Sequence, residues 1–260
     1  MHWVLQNNIF RESAYDSLID TLKRLDIPHS EHRIIPFIGE ITEPPQLSHN
    51  NVICMGSYSM RHYAAKMGWN PGVFDLEPFD FTKQLEHWGD HMLNADSVVG
   101  CFGDAETDSE LFFIRPILDS KSFSGSVMSR EQFYDWKHKV IDIGEDTGST
   151  VDANTMIQIA PLKEIYTEHR FWVVDGRVIT GSTYKLGSRV TYHPVLDQHL
   201  FDYVNARIAE WMPLRTFCID IAYTPDGLKV IEINTLNSSG FYAADMQKLV
   251  EALQTAYSEA

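Results

Sequence analysis

The stretch Phe217–Asn234, FCIDIAYTPDGLKVIEIN, constrains this chain most, because its spacing puts two carboxylates and an amide on one face of a hairpin. Pro225, Asp226 and Gly227 suit a three-residue loop, a type I turn whose last position needs φ > 0 and therefore glycine, so Thr224 is expected opposite Leu228. Counting outward pairs Asp220 with Glu232 and Cys218 with Asn234. Side chains alternate along a strand, so Asp220, Glu232 and Asn234 share one face while Phe217, Ile219, Ile221, Ile231 and Ile233 point the other way. Like charges directly across a strand pair are unfavourable unless a cation sits between them. Carboxylate and carbonyl oxygens suit Mg²⁺, usually held by one or two carboxylates with phosphates completing the octahedron. A solvent-facing polar hairpin is the alternative.

At 260 residues and 44% hydrophobic content the chain can bury a core, as one large domain or two to three small lobes. The formal net charge of −15 argues against general nucleic-acid binding, which needs clustered Lys and Arg, but allows a local basic site for ATP phosphates. Cys54, Cys101 and Cys218 are odd in number and far apart, without metal-ligand spacing, which fits buried thiols in a reducing compartment. The start, MHWVLQNNIF, lacks a basic region followed by an apolar one, and no run approaches the roughly 18 to 20 apolar residues of a membrane span, so a cytoplasmic protein without membrane contact is expected.

Strand and helix patterns alternate through the first hundred residues: HWVLQ, ESAYDSLIDTLKRLDI, HRIIPFI, NVICMGSY and SMRHYAAKMGW. This reads as an α/β lobe. FTKQLEHWGDHMLN at 81–94 is expected to be helical, CFGDAETDSE at 101–110 an acidic linker, SREQFYDWKHKVIDI a helix, and AADMQKLVEALQTAYSEA the C-terminal helix.

Two further constellations carry possible chemistry. Arg115 and Lys121 flank a turn before the small, hydroxyl- and glycine-rich loop Ser122–Ser126, which can cradle phosphate through exposed N–H groups or be merely a turn. Asp175-Gly176 marks a two-residue type I′ hairpin, pairing Val174 with Arg177, Arg170 with Gly181 and Glu168 with Thr183, and projecting Glu168, Arg170 and Lys185 from one face. Such charges also stabilise sheets that have no function. Upstream, TMIQIAPL is a strand whose end at Pro161 leaves backbone groups able to read an adenine edge.

In this order the elements resemble those of ATP-grasp enzymes, in particular the phage-associated branch named for an arginine and two lysines. The likeness covers about Leu111 to Tyr242: RP…K-x-F-x-G at Arg115, Pro116, Lys121, Phe123 and Gly125, then EHRF at Glu168–Phe171, then EIN…SSGFY from Glu232 to Tyr242. The resemblance implies an ATP-grasp fold, two α+β lobes clasping ATP, preceded by a small α/β domain. The expected division is 1–105 for the N-terminal domain and 106–260 for the ATP-grasp domain, with lobes at roughly 106–165 and 166–260. It further implies Mg²⁺ on Asp220, Glu232 and Asn234, phosphates on Arg115 and Lys121 beside Gly125, adenine at Gln158 and Ile159, and Glu168 near the ribose or hinge. Arg170 and Lys185 become candidates for stabilising charge on the transferred phosphoryl group, and Ser238–Tyr242 for the substrate-side wall. The implied reaction activates a carboxylate as an acylphosphate that an amine attacks. A non-catalytic ATP-binding module and a small-molecule kinase use the same cradle.

Overall fold

The computed structural model describes residues 1–9, 13–36, 38–75, 80–118, 123–143 and 150–257. It contains two compact units, one formed by Met1–Leu76 with Ile165–Ala260 and the other by Glu77–Glu164.

The first unit opens with a parallel sheet in the order β2-β1-β3-β4, built from β1 (His2–Gln6), β2 (His29–His32), β3 (Asn51–Met55) and β4 (Asn70–Gly72). Near-continuous apolar runs in β1 and β3 follow from burial on both faces. Trp3, Leu5, Ile53 and Met55 face one core, while Val4, Val52 and Cys54 face another with Ile34, Met60 and Trp69. Helices α1 (Ser13–Arg24) and α2 (Met60–Met67) cross over between strands. The strand expected in HRIIPFI lies instead on His29–His32. Pro36 has no N–H for a ladder, and the chain folds back there, Ile35 N–H donating to the Glu40 carbonyl and Ile34 bridging Ile41.

The same unit holds a five-stranded antiparallel sheet, order β11-β10-β9-β12-β13. Its strands are β9 (Thr167–Val174), β10 (Arg177–Leu186), β11 (Arg189–Pro194), β12 (Thr216–Thr224) and β13 (Gly227–Asn234). Trp172, Val174 and Cys218 join Leu249, Val250 and Leu253 of the C-terminal helix and the Trp3–Leu5 face of β1 in one core, so the N- and C-terminal parts of the sequence share their interior. Helix α5 is Gln198–Glu210 and the C-terminal helix, α6, is Met246–Tyr257. Asp197 caps α5 by accepting from His199 N–H at 3.0 Å.

In the other unit an antiparallel sheet runs β5-β8-β6-β7, from β5 (Val98–Cys101), β6 (Leu111–Pro116), β7 (Ser126–Ser129) and β8 (Met156–Ala160). Helix α3 is Phe81–Trp88, shorter than the 81–94 pattern because Gly89 takes a positive φ and a 3-10 turn follows. Helix α4 is Arg130–His138, started by a capping box in which Ser129 and Gln132 satisfy each other's backbone N–H groups. Phe102, inside the stretch read as an acidic linker, is buried edge-on against Phe133 in a core with Phe112, Ile114 and Ile157. β5 ends at Cys101, ahead of the expected 105/106 division, and pairs with β8. Among the described residues no helix is long and apolar enough to cross a membrane.

Candidate active site

The β12–β13 hairpin pairs Asp220 with Glu232 and Cys218 with Asn234, as the spacing requires. The turn differs from expectation: Thr224 pairs with Gly227 rather than Leu228, and the extra residue is taken up in a bulge at Ile231, where the register shifts. Gly227 has φ 93°, which explains the glycine. The Asn234 side-chain N–H donates to Glu232 Oε1 at 3.1 Å and to Asp220 Oδ2 at 3.3 Å, so the three groups form one linked set.

The β9–β10 turn takes positive φ at both Asp175 (51°) and Gly176 (68°), as a type I′ turn demands, and Val174 pairs with Arg177. Farther out two bulges correct the counted register. One near Ile179 puts Arg170 opposite Ser182 instead of Gly181, and one at Tyr184 puts Lys185, not Thr183, opposite Glu168. The second shift brings charge to charge: Lys185 Nζ lies 2.5 Å from Glu168 Oε1, and the Tyr184 hydroxyl donates to Glu168 Oε2 at 2.9 Å.

Because β9 also pairs with β12, Arg170 stands opposite Asp220. Its Nε and one Nη donate to the two carboxylate oxygens at 2.7 Å each, with both side chains nearly withdrawn from solvent. Burial pushes the Asp220 carboxyl up from its ordinary value, and Arg170 pulls it back while Glu232 and Glu168 push it up. Burial alone would lower the Arg170 guanidinium, but the Asp220 charge and hydrogen bonds hold it protonated well above its ordinary value. Burial likewise drives the Tyr184 hydroxyl upward and the Cys218 thiol to about 12, so both stay protonated at neutral pH. The Arg170 guanidinium carbon lies 5.1 Å from the Tyr242 ring centre and 5.8 Å from that of Tyr184, within cation–π range.

Thus Glu168, Arg170, Lys185, Asp220, Glu232 and Asn234 come together on one face of the five-stranded sheet. Sequence spacing missed Tyr184, whose position depends on a bulge, and Asn237, which follows the strand that carries Asn234. Asn237 is fully buried and ties the loop after β13 to the N-terminal sheet. Its Oδ1 accepts from Phe74 N–H at 2.7 Å, its side-chain N–H donates to the Cys54 carbonyl, and its own carbonyl accepts from Gly56 N–H at 2.9 Å.

The unit 77–164 assembles a second group of the expected residues. Arg115 on β6 pairs with Gln158 on β8, and Ile114 with Ile159. A Cβ on Gly125 would meet Phe113 Cζ at 2.8 Å and Arg115 Cβ at 3.3 Å, so only glycine allows this close approach. β8 is flanked by β5 and β6 across Ile157–Ile159, so the strand end expected to expose backbone begins at Ala160. The Gln158 side chain is buried and accepts from Ser97 Oγ at 3.0 Å. Lys121 lies outside the described residues.

The donor set fits a hard cation: two carboxylates and a side-chain amide, linked through Asn234, with like charges opposed across the hairpin. Among the described residues no three His, Cys, Asp or Glu converge on one point, so a metal here depends on ligands beyond Asp220 and Glu232.

An ATP-grasp domain family, the third of its clade, matches residues 34–253. The chain belongs to this ATP-grasp family. Solved structures similar to this ATP-grasp chain include the D-cycloserine synthetase DcsG, with TM-score 0.62 and 12% identity over 98% of this chain and 99% of that one. The ATP-grasp ligase PsnB complexed with minimal precursor has TM-score 0.59 and 14% identity, covering 98% of both chains. D-alanine–D-alanine ligase from Bacillus anthracis, complexed with ATP, has TM-score 0.59 and 11% identity over 99% of this chain and 97% of its own. At these identities the likeness is one of fold, and the fold is ATP-grasp. No curated protein matches the chain.

Proposed function

We propose that this ATP-grasp protein is an ATP- and Mg²⁺-dependent ligase that activates a carboxylate as an acylphosphate and joins it to an amine. The observation that carries this reading is the linked Asp220–Glu232–Asn234 set with Arg170 and Lys185 on the same sheet face, inside a chain matched by an ATP-grasp family over residues 34–253. In this reading Asp220, Glu232 and Asn234 hold Mg²⁺, Arg115, Lys121 and Gly125 bind nucleotide phosphates, Gln158 and Ile159 border adenine, and Glu168 serves the ribose or hinge. Bound Mg²⁺ supplies positive charge to the phosphate oxygens. Phosphoryl transfer needs positioned cations more than covalent help, and Arg170 and Lys185 supply fixed positive charge where the transferred group gains negative charge. The solved neighbours named as ligases support the same reaction class.

The reading includes a small-molecule or peptide substrate, a cytoplasmic site of action, a phage-associated lineage and the division into domains 1–105 and 106–260. Three free cysteines support a reducing compartment. One observation favours the rival, a module that binds ATP without turning it over: Asp220 is already neutralised by Arg170. The deciding experiment incubates the protein with ATP, Mg²⁺ and pooled amino acids or cell extract and follows ADP and new amides by mass spectrometry. ADP with a new amide is expected; ATP binding with no ADP above background assigns the binding module.

A further inference from the structure

Three tyrosines line up beside the charged cluster. The Tyr242 ring stacks on Tyr184 at 5.1 Å and 26° and on Tyr192 at 5.1 Å and 28°. Two backbone irregularities bring them together. Tyr242 holds φ 52°, a region that bulky residues seldom occupy unless the surroundings enforce it, and Tyr184 sits in the bulge of β10. The loop carrying Tyr242 is tied to β10 by Ala243 N–H donating to Ser182 Oγ at 3.0 Å and Asp245 N–H donating to Thr180 Oγ1 at 2.9 Å. At the inner end Arg170 lies against Tyr184 and Tyr242; at the outer end Tyr192 on edge strand β11 is 45% exposed.

Packing alone explains stacked rings in a core, but this stack runs from a buried ion pair out to an exposed ring. Its inner end is bordered by the carboxylates of Glu168, Asp220 and Glu232, a chemistry that draws an ammonium group and repels a second carboxylate. Its outer end offers an aromatic face. We infer that Tyr184, Tyr192 and Tyr242 form the acceptor-recognition wall and select a primary amine that carries an aromatic ring. The inference rests on the ligase reading for the word acceptor, and not for the binding itself.

The test measures, by calorimetry with Mg²⁺ and a non-hydrolysable ATP analogue, the affinity of 2-phenylethylamine, isopentylamine and 3-phenylpropionate. Phenylethylamine is expected to bind roughly tenfold more tightly than isopentylamine, the scale of one aromatic pairing added to equal area burial. Tyr192→Ala, at an exposed position, is expected to erase that preference and Tyr192→Phe to keep it. Equal or absent binding of the two amines, stronger binding of phenylpropionate, or a preference surviving in folded Tyr192→Ala overturns the inference. Ring-selective amine binding without ADP release from any acceptor would sink the ligase reading and leave the wall. ADP release with aliphatic acceptors alone would do the reverse.

Discussion

Arg170 and Asp220 face each other across β9 and β12 in a buried bidentate ion pair, with two N–O distances of 2.7 Å. The register of three strands produces this pair, and it has two consequences. It fixes the carboxylate nearest the proposed metal, and it holds a guanidinium beside it without needing a ligand to order the side chain. A buried pair adds little net stability over a well-packed apolar substitute, whereas breaking it leaves one charge out of water and unpaired.

Arg170→Ala and Asp220→Ala are therefore each expected to destabilise the protein by about 3–5 kcal/mol, while the joint replacement Arg170→Met with Asp220→Leu recovers most of that loss. Urea unfolding of the three variants measures it. A wild-type midpoint for Arg170→Ala would mean that the pair does not form in solution. Arg170→Ala is accordingly a poor purely kinetic probe.

Lys185 provides the cleaner one. Its side chain is 38% exposed and its partner Glu168 12%, so solvent screens much of the pair, and Lys185→Ala is expected to cost no more than about 1 kcal/mol. If Lys185 stabilises charge developing during transfer, the same change lowers kcat by roughly 10²–10³ with a smaller effect on ATP affinity. ADP-release kinetics beside ATP calorimetry separate the two quantities. Equal loss in both places Lys185 in ground-state phosphate binding.

His169 makes stability depend on pH. Burial lowers its pKa from 6.5 to about 4, and the ring sits between the hydroxyls of Thr167 at 2.6 Å and Thr183 at 2.9 Å. Burial also lowers His2 to about 4, helped by the charges of His49, His29 and His32. Between pH 6.5 and 4 the unfolded chain binds more protons at these sites than the folded one. Folding stability should thus fall as pH drops through that window, by up to about 1.4 kcal/mol per pH unit per histidine. Urea midpoints at about pH 7, 5.5 and 4.5 give the slope, and His169→Gln should flatten it. An unchanged slope in that variant would exclude His169 as a contributor.

Residues carried by strict alternation were legible in the sequence, and those carried by a break in it were not. Asp220 opposite Glu232 follows from counting, because the error at the turn and the bulge at Ile231 cancel before Asp220 is reached. Lys185 opposite Glu168 does not follow, since the bulges near Ile179 and at Tyr184 leave no mark that single-sequence spacing can register. The pairing of Arg170 with Asp220 is a contact between strands 50 residues apart, and no local pattern specifies which strands become neighbours. Asn237 was hidden for the same reason: its partners Cys54 and Phe74 lie far away in the chain, and an Asn after a strand otherwise suggests only a turn.

Mg²⁺ should bind this site weakly alone and strongly with nucleotide. Asp220 already gives both oxygens to Arg170, Asn234 spends its side-chain N–H on the two carboxylates, and Mg²⁺ demands roughly six ligands in near-octahedral order. The nucleotide phosphates must supply what the protein does not. Calorimetry is expected to show no saturable Mg²⁺ binding at micromolar concentrations without nucleotide, and affinity for a non-hydrolysable ATP analogue at least about tenfold higher with Mg²⁺ than without it, a difference of about 1.4 kcal/mol. Glu232→Gln keeps a carbonyl oxygen for Asn234 and removes the like charge opposite Asp220, so its unfolding midpoint should hold or rise. The same variant should lose most of the Mg²⁺ enhancement. Tight Mg²⁺ binding without nucleotide, or full enhancement in Glu232→Gln, would remove the hairpin face as the metal site.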